Sequence, residues 1–147
     1  MYHMVQISAR AHARAAPAVV YALLRDGASW PDWSPLGAFE LLREGETERE
    51  GVGALRLFRT GGVKSREEIV ELVPDRRLSY ELRGGLPLRD YRADVDLTPR
   101  DGGTDIHWHS GFEPKIPGTG WFYRWFLGRV LRRMAETLAA RAGAAAP

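Results

Sequence analysis

Between residues 38 and 112 the chain alternates apolar and polar side chains in six short segments, which turn residues separate. Successive side chains of a strand point to opposite faces of a sheet, so this alternation predicts strands with one buried face. Gly61-Gly62 and the stretch PRDGG at 99–103 suit tight hairpin connections, which join antiparallel neighbours. Such a sheet needs a second layer over its apolar face. The predicted strands are 38–43, 52–60, 63–73, 77–83, 89–98 and 104–112.

Helical patterns on both sides of this series supply that layer. A strand at 5–12 precedes a helix over 16–25, in which Pro17 suits the first turn. The stretch SWPDWSP at 29–35 allows only one helical turn, because its prolines interrupt a longer helix. A long C-terminal helix is predicted at 121–141 from apolar residues that recur every four positions, namely Phe122, Phe126, Val130, Met134 and Leu138.

The order of these elements predicts an α+β domain with a cavity inside it. One strand, two short helices, six strands and a long helix give a curved antiparallel sheet that the helix covers on one face. A long helix across a strongly curved sheet cannot fill the concavity with its own side chains, so a gap is left between the two layers. We predict a single domain over 1–147, with its core at 4–141 and a frayed tail at 142–147.

The composition argues against several classes of protein. The chain has 147 residues and no cysteine, which excludes a disulfide framework and a thiolate nucleophile within it. Its net charge is only +2, with acidic residues among the arginines, so we expect no nucleic-acid partner. No run approaches the roughly 18 apolar residues of a membrane span, and no signal-peptide core is present. We therefore expect a cytoplasmic protein without stable membrane insertion.

A family resemblance rests on motifs spread along the chain, whose order is more specific than any one of them. They are APAVVYALLRD, WPDWSP, EEIVELVPDRRLSYEL, LPLRDYRADVDLTP and GGTDIHWHSGFEPKIPGTG. In this order they resemble the START-like or Bet v 1-like superfamily and, within it, the bacterial polyketide cyclase/dehydrase (SRPBCC) group, over roughly residues 4–141.

The resemblance implies a helix-grip fold, in which a seven-stranded curved antiparallel sheet grips a long C-terminal helix. It also implies an internal pocket for an apolar or aromatic small molecule. It does not imply a particular reaction, because one fold serves many functions. We expect no cofactor, and either a monomer or a homodimer.

Aromatic residues on the predicted inner faces are the candidates for ligand contact. Alternation places Tyr80, Tyr91 and Trp108 on the apolar faces of their strands, and a buried tyrosine hydroxyl needs a hydrogen-bonding partner that a ligand or water supplies. Packing in a core that fills its own cavity is the alternative role for each of them. The predicted ligand-binding residues are Trp30, Trp33, Phe58, Tyr80, Tyr91, Trp108, Phe112, Trp121 and Trp125.

Polar groups that reach the cavity are the candidates for proton transfer. Glu67, Tyr80 and Tyr91 are weak candidates for catalysis, because a carboxyl group in an apolar cavity has a raised pKa. The orientation of Glu67 stays open at this stage. Ile69 favours Glu67 on the inner face, whereas Val70 and Leu72 favour the opposite face of the same strand.

Two surface features suggest other functions, metal binding and membrane contact, which we judge weaker than ligand binding. His107 and His109 share one strand face at about 6.5 to 7 Å, and Asp105 lies too far along the strand, at about 13 Å, to complete a metal site with them. We therefore expect hydrogen-bonded surface histidines and no metal. The final helix combines arginines and aromatic residues as membrane-surface helices do, but we expect its aromatic stripe to face the sheet.

These observations give two hypotheses for the function. The first is a binding protein that holds a hydrophobic or aromatic small molecule between the sheet and the C-terminal helix, which requires only shape and apolar area. The second is an enzyme of the polyketide cyclase/aromatase kind, which requires a polar pocket residue with a perturbed pKa.

Overall fold

The computed structural model describes residues 4–145, and the predicted order of elements is confirmed. A 3-10 turn at Gly27–Ser29 joins the first two helices. The elements are β1 (Val5–Ala13), α1 (Pro17–Arg25), α2 (Trp30–Trp33), β2 (Ala38–Arg43), β3 (Leu55–Thr60), β4 (Val63–Val73), β5 (Arg77–Gly84), β6 (Leu88–Arg100), β7 (Gly103–Pro114) and α3 (Gly120–Ala145).

The seven strands form one curved antiparallel sheet in the order β1-β7-β6-β5-β4-β3-β2. Strands β2 to β7 pair with their neighbours in sequence, and β1 pairs with β7. The β6–β7 hairpin shows how the turn residues set this register. Asp101 and Gly102 both have positive φ, at 49° and 77°, as a two-residue type I′ turn requires.

Helix α3 crosses the concave face of the sheet and packs chiefly against β1 and β7. Its buried stripe is Leu127, Leu131, Met134 and Leu138, a spacing of four, three and four residues that stays on one face of an α-helix. None of the helices in residues 4–145 is long and apolar enough to span a membrane.

The stripe predicted from the four-residue repeat is therefore wrong at its N-terminal end. The side chains of Phe122 and Phe126 are 40% and 39% exposed. Each four-residue step advances about 40° around a helix with 3.6 residues per turn. Over three steps, from Met134 back to Phe122, the repeat turns about 120° away from the sheet.

The chain also stays helical beyond the predicted end of α3. The helix continues to Ala145 and Ala142 is fully buried, so the expected tail at 142–147 is helical as far as residue 145. Residues 146–147 lie outside the described residues.

Candidate functional site

A partly enclosed cavity of about 240 Å³ lies between α3 and the sheet. It forms where the concave faces of β4, β5 and β6 are left uncovered beside α3. Its wall is mainly apolar, with residues from α3 on one side and strand residues on the other. The lining residues are Pro35, Leu36, Thr60, Val63, Ser65, Glu67, Tyr80, Leu82, Leu86, Tyr91, Phe126, Leu127, Val130, Leu131 and Met134.

The mouth and the depth of the cavity differ in character. Pro35, Thr60, Val63 and Phe126 are exposed and form the mouth. Tyr80 and Tyr91 are buried and lie deeper in the cavity. A ligand therefore enters past apolar side chains and meets polar groups inside.

A register shift in β4 decides which way Glu67 points. Ile69 is fully buried, and Glu67, two residues before it, lines the cavity. The pairing with β5 shifts between Ile69 and Glu71, which adds a residue and reverses the alternation. Leu72 then lies opposite the fully buried Leu78, while Glu71 turns outward to an ion pair with an arginine of β5. An apolar residue on each side of the register shift, Ile69 before it and Leu72 after it, thus points inward, which explains the conflicting sequence signals.

Glu67 is a titratable group in an otherwise apolar part of the wall. Within residues 4–145 its carboxyl group makes no hydrogen bond to another side chain or to the backbone. Burial raises the pKa of Glu67 to about 7, and the positive charge of Arg56 limits the rise. At neutral pH this carboxyl group therefore populates both protonation states, and it can donate or accept a proton.

Arg56 supports the back of the site from β3, where its backbone pairs with that of Glu67. Its side chain is almost completely buried and donates a hydrogen bond from Nη2 to the Leu24 carbonyl oxygen at 3.2 Å. Its Nε lies 3.6 Å from Glu50 Oε1, and its guanidinium carbon lies 4.9 Å from the centre of the Trp30 ring. Arg56 thus places a positive charge behind the cavity wall without lining the cavity.

The two cavity tyrosines are protonated hydrogen-bond donors. Burial raises the pKa of Tyr80 well above its ordinary value and the pKa of Tyr91 to about 12. Trp108 Nε1 donates to the Tyr80 hydroxyl oxygen at 3.2 Å, and the Tyr80 and Tyr91 hydroxyl groups interact with each other. Behind the lining, on β7, the Ser110 hydroxyl lies beside Tyr91 and partly offsets the effect of burial on the pKa of Tyr91. The two tyrosines and Glu67 form the polar part of the cavity wall.

The tryptophans of the SWPDWSP connector pack in the core and do not line the cavity. The Trp30 ring stacks on Phe58 at 5.0 Å and meets the edge of Trp108 at 5.6 Å. Both indole N–H groups are satisfied at 3.1 Å, that of Trp30 by the Leu24 carbonyl oxygen and that of Trp33 by the Ser29 hydroxyl. The connector instead contributes Pro35 to the cavity wall, and Leu36, directly after the connector, also lines the cavity.

The other predicted ligand-binding residues are divided between the core and the surface. Phe58, Trp108 and Phe112 are fully buried behind the lining. Trp121 and Trp125 are exposed at 74% and 57%, so the expectation that they face the sheet is wrong. They lie about 120° and 160° around the helix from the buried Leu127.

Sequence reasoning missed several apolar lining residues. Leu82 follows Tyr80 on the same strand face, and Leu127 and Leu131 belong to the buried stripe of α3. A search for apolar residues at helical spacings of four, three and four would have identified Leu127 and Leu131. No local pattern pointed to Leu86, which lies in the β5–β6 connection.

A second polar cluster lies on the outer face of the sheet. Asp96, His107 and His109 place one potential ligand atom each within 4.8 Å of one another. The third residue is Asp96 of the neighbouring strand, which pairs with His107 in the backbone register, whereas Asp105 contacts His12 at 2.7 Å.

This cluster is already an ion-pair network. Arg77 contacts both carboxylate oxygens of Asp96, at 2.6 and 3.1 Å, and His109 Nε2 lies 2.7 Å from Asp96 Oδ2. Burial alone would raise the pKa of Asp96, but the hydrogen bonds from Arg77 and His109 lower it overall. Because Arg77 neutralises the carboxylate, we assign no metal to these residues.

A curved antiparallel sheet that grips a long helix over an apolar cavity defines the class of helix-grip proteins. A family model described as "Polyketide cyclase / dehydrase and lipid transport" matches residues 4–143, so the chain belongs to this family. The resemblance to the START-like and Bet v 1-like superfamily is confirmed. No match was found among curated proteins.

Solved structures with the same fold cover nearly the whole chain. A START superfamily protein from Mycobacterium smegmatis is 15% identical, with a TM-score of 0.79 and coverage of 93% of this chain and 96% of that one. A protein from Thermobifida fusca, solved by NMR, is 25% identical, with a TM-score of 0.78 and coverage of 95% and 94%. Ara h 8.0201 is 15% identical, with a TM-score of 0.74 and coverage of 95% and 98%.

Proposed function

We propose that the protein binds a small, mainly aromatic molecule in this cavity, with a polar group of the ligand directed at Glu67, Tyr80 and Tyr91. The observation that carries the proposal is a carboxyl group in the wall of an apolar cavity that has no hydrogen-bond partner among the described residues. An engineered apolar cavity of about 150 Å³ holds benzene. The cavity here, at about 240 Å³, suits a compound of about two fused rings.

The polar end favours a neutral hydroxyl or carbonyl group on the ligand. The Tyr80 and Tyr91 hydroxyls are protonated at neutral pH, since burial raises a pKa that is ordinarily about 10, and a protonated hydroxyl can donate a hydrogen bond to a ligand. Glu67 accepts a hydrogen bond when ionised and donates one when protonated. A ligand carboxylate would meet the partial negative charge of Glu67 without direct contact to Arg56, which lies behind the wall.

The matched probes 1-naphthol and naphthalene test this assignment, because they differ by one hydroxyl group. We expect 1-naphthol to bind more tightly, by about fivefold for one added hydrogen bond. In Tyr91→Phe that preference is expected to shrink, whereas Tyr21→Phe, a buried tyrosine outside the cavity wall, retains it. Isothermal titration calorimetry gives the affinities, and NMR shifts of the Leu131 and Met134 methyl groups locate the probe.

Two outcomes would contradict the proposal. Shifts confined to methyl groups outside the cavity would place the probe elsewhere on the protein. If both probes shifted the cavity methyl groups and bound with the same affinity, the hydroxyl group of 1-naphthol would not contribute to binding.

A second candidate function, catalysis, is favoured by the pKa of about 7 for Glu67. A general base works best when its pKa lies near the operating pH. The Glu67 carboxylate would take a proton from the carbon next to a ligand carbonyl group, and a tyrosine O–H would stabilise the enolate oxygen that forms. The Glu67 carboxyl group exchanges this proton with solvent water and then returns a proton to carbon, so water is the only other reactant in proton exchange. The family description also names cyclases and dehydrases.

Deuterium exchange at the α-carbon of 2-tetralone in D₂O tests the hypothesis that Glu67 acts as a general base. We expect the wild-type protein to accelerate exchange, as followed by proton NMR, and Glu67→Gln to lose at least about 100-fold of the acceleration, the usual range for general-base catalysis. Glu68→Gln is the control, because Glu68 binds Arg43 and Arg83 outside the cavity. Equal acceleration by wild-type and Glu67→Gln would reject Glu67 as the base.

A further inference from the structure

The N-terminal part of α3 carries an exposed cluster of aromatic side chains. The aromatic patch consists of Trp121, Phe122, Trp125 and Phe126, all of which are exposed. Phe122 lies at its centre, with ring centroids 6.1 Å from Trp121, 6.4 Å from Trp125 and 5.9 Å from Phe126. A contiguous apolar surface of this kind marks a site of interaction, because water solvates it poorly.

Basic residues predominate beside the aromatic patch, where the adjoining groove is lined by four arginines and one acidic residue, Glu136. The stretch 114–135 contains Lys115 and four arginines but no acidic residue. The whole chain has a net charge of only +2, so the rest of the chain is net negative. The four arginines are exposed, and within residues 4–145 they take part in no ion pair. They are Arg124, Arg129, Arg132 and Arg133.

The aromatic patch also adjoins the mouth of the cavity. Phe126 and Val130 line the cavity, and together with Pro35 they also line the open groove that holds Trp125 and Arg129. The Arg129 guanidinium carbon lies 5.4 Å from the centre of the Trp125 ring. A molecule that leaves an apolar phase at the patch therefore reaches the cavity past Phe126.

We propose that this end of α3 docks onto the surface of an anionic lipid bilayer. Tryptophan and phenylalanine side chains partition into the interfacial region of a bilayer, and basic residues beside them bind anionic headgroups. The docking is peripheral, because the opposite face of α3 is packed in the protein core. The inference rests on the proposed function in one respect: it makes the bilayer the source or the destination of the cavity ligand.

The charge pattern favours a bilayer over a second copy of the chain. A two-fold dimer through the aromatic patch would bring the basic residues of both copies to one interface. The groove beside the patch holds four arginines and one acidic residue, Glu136, so the net positive charge of one copy would repel that of the other. An anionic membrane surface instead complements both the apolar centre and the basic rim.

Vesicle sedimentation with the full-length protein tests the proposal. We expect binding to phosphatidylcholine vesicles with about 30 mol% phosphatidylglycerol, and much weaker binding to phosphatidylcholine alone. The double variant Trp121→Ala/Trp125→Ala is expected to lose at least about tenfold in partitioning. Leu42→Ala, an exposed apolar residue on β2 away from the patch, is the matched control and retains binding. Circular dichroism confirms that each variant is folded.

Other outcomes would overturn the docking and leave the proposed function intact. Equal binding of wild-type protein and double variant, or no binding to either vesicle, rejects the bilayer as partner. Dimerisation in sedimentation velocity that the double variant abolishes, without vesicle binding, would assign the patch to a second copy. Binding of 1-naphthol by the double variant separates the two proposals, because it measures the cavity without the patch.

Discussion

Replacing Trp30 by alanine is expected to lower the free energy of unfolding by about 3 to 5 kcal/mol, as measured by urea denaturation followed by far-UV circular dichroism. The Trp30 side chain is 1% exposed and contacts Phe58, Trp108 and the Arg56 guanidinium group. Its removal leaves a cavity and takes away the aromatic face over a buried charge. Both effects act in the same direction.

The matched control for this experiment is Trp121→Ala. Trp121 is 74% exposed, so its truncation is expected to change the free energy of unfolding by less than about 0.5 kcal/mol. If Trp30→Ala cost under about 1 kcal/mol, the SWPDWSP connector would not belong to the core as the structure places it.

The second large effect is a pH dependence that Glu67→Gln removes. In the folded protein the pKa of Glu67 is raised to about 7, against an ordinary value of 4.5. Between these two values the folded state retains a proton that the unfolded state has released. The free energy of unfolding of the wild-type protein therefore falls as the pH rises through this window. A shift of this size corresponds to at most about 3 kcal/mol, and contact of the carboxyl group with cavity water reduces it.

Glutamine cannot ionise, so the variant lacks this part of the pH dependence. We expect Glu67→Gln to gain about 1 to 3 kcal/mol of stability relative to wild-type protein between pH 5 and pH 8. Urea denaturation at both pH values gives the difference, in which the contributions of other titrating groups cancel. Glu136→Gln, an exposed change on α3, is expected to show no comparable gain. A constant difference between wild-type protein and Glu67→Gln would mean that water solvates the carboxyl group freely.

The two variants separate structural residues from functional ones. The Trp30 ring is buried and its indole N–H group has a hydrogen-bond partner, so its loss is expected to affect stability more than ligand binding. Glu67 is expected to lower stability at neutral pH, and within residues 4–145 its carboxyl group has no hydrogen-bond partner, which is the pattern of a site kept for function at some cost in stability. A Glu67→Gln variant that is more stable and binds 1-naphthol less well would connect these two properties.

Most of the fold could be predicted because its signals are local. Alternation and turn residues placed all seven strands, with ends that differ from the structure by at most three residues, as in β3, predicted from 52 and observed from Leu55. All three predicted polar candidates line the cavity. Alternation on β5 and β6 fixed the inward face of Tyr80 and Tyr91 in advance, whereas the orientation of Glu67 stayed open. Their role in binding stays a prediction.

The amino-acid sequence by itself determined the order of strands, the hairpin turns and the long C-terminal helix, since each depends on residues near one another in the chain. Only the tertiary structure decided the inward direction of Glu67, because a bulge in β4 depends on how β4 pairs with β5. It also decided which face of α3 is buried, because a four-residue repeat rotates slowly around a helix and several faces fit it. Packing against the sheet selected the face with Leu127 and Leu131, and thereby left Trp121 and Trp125 in solvent beside the cavity mouth.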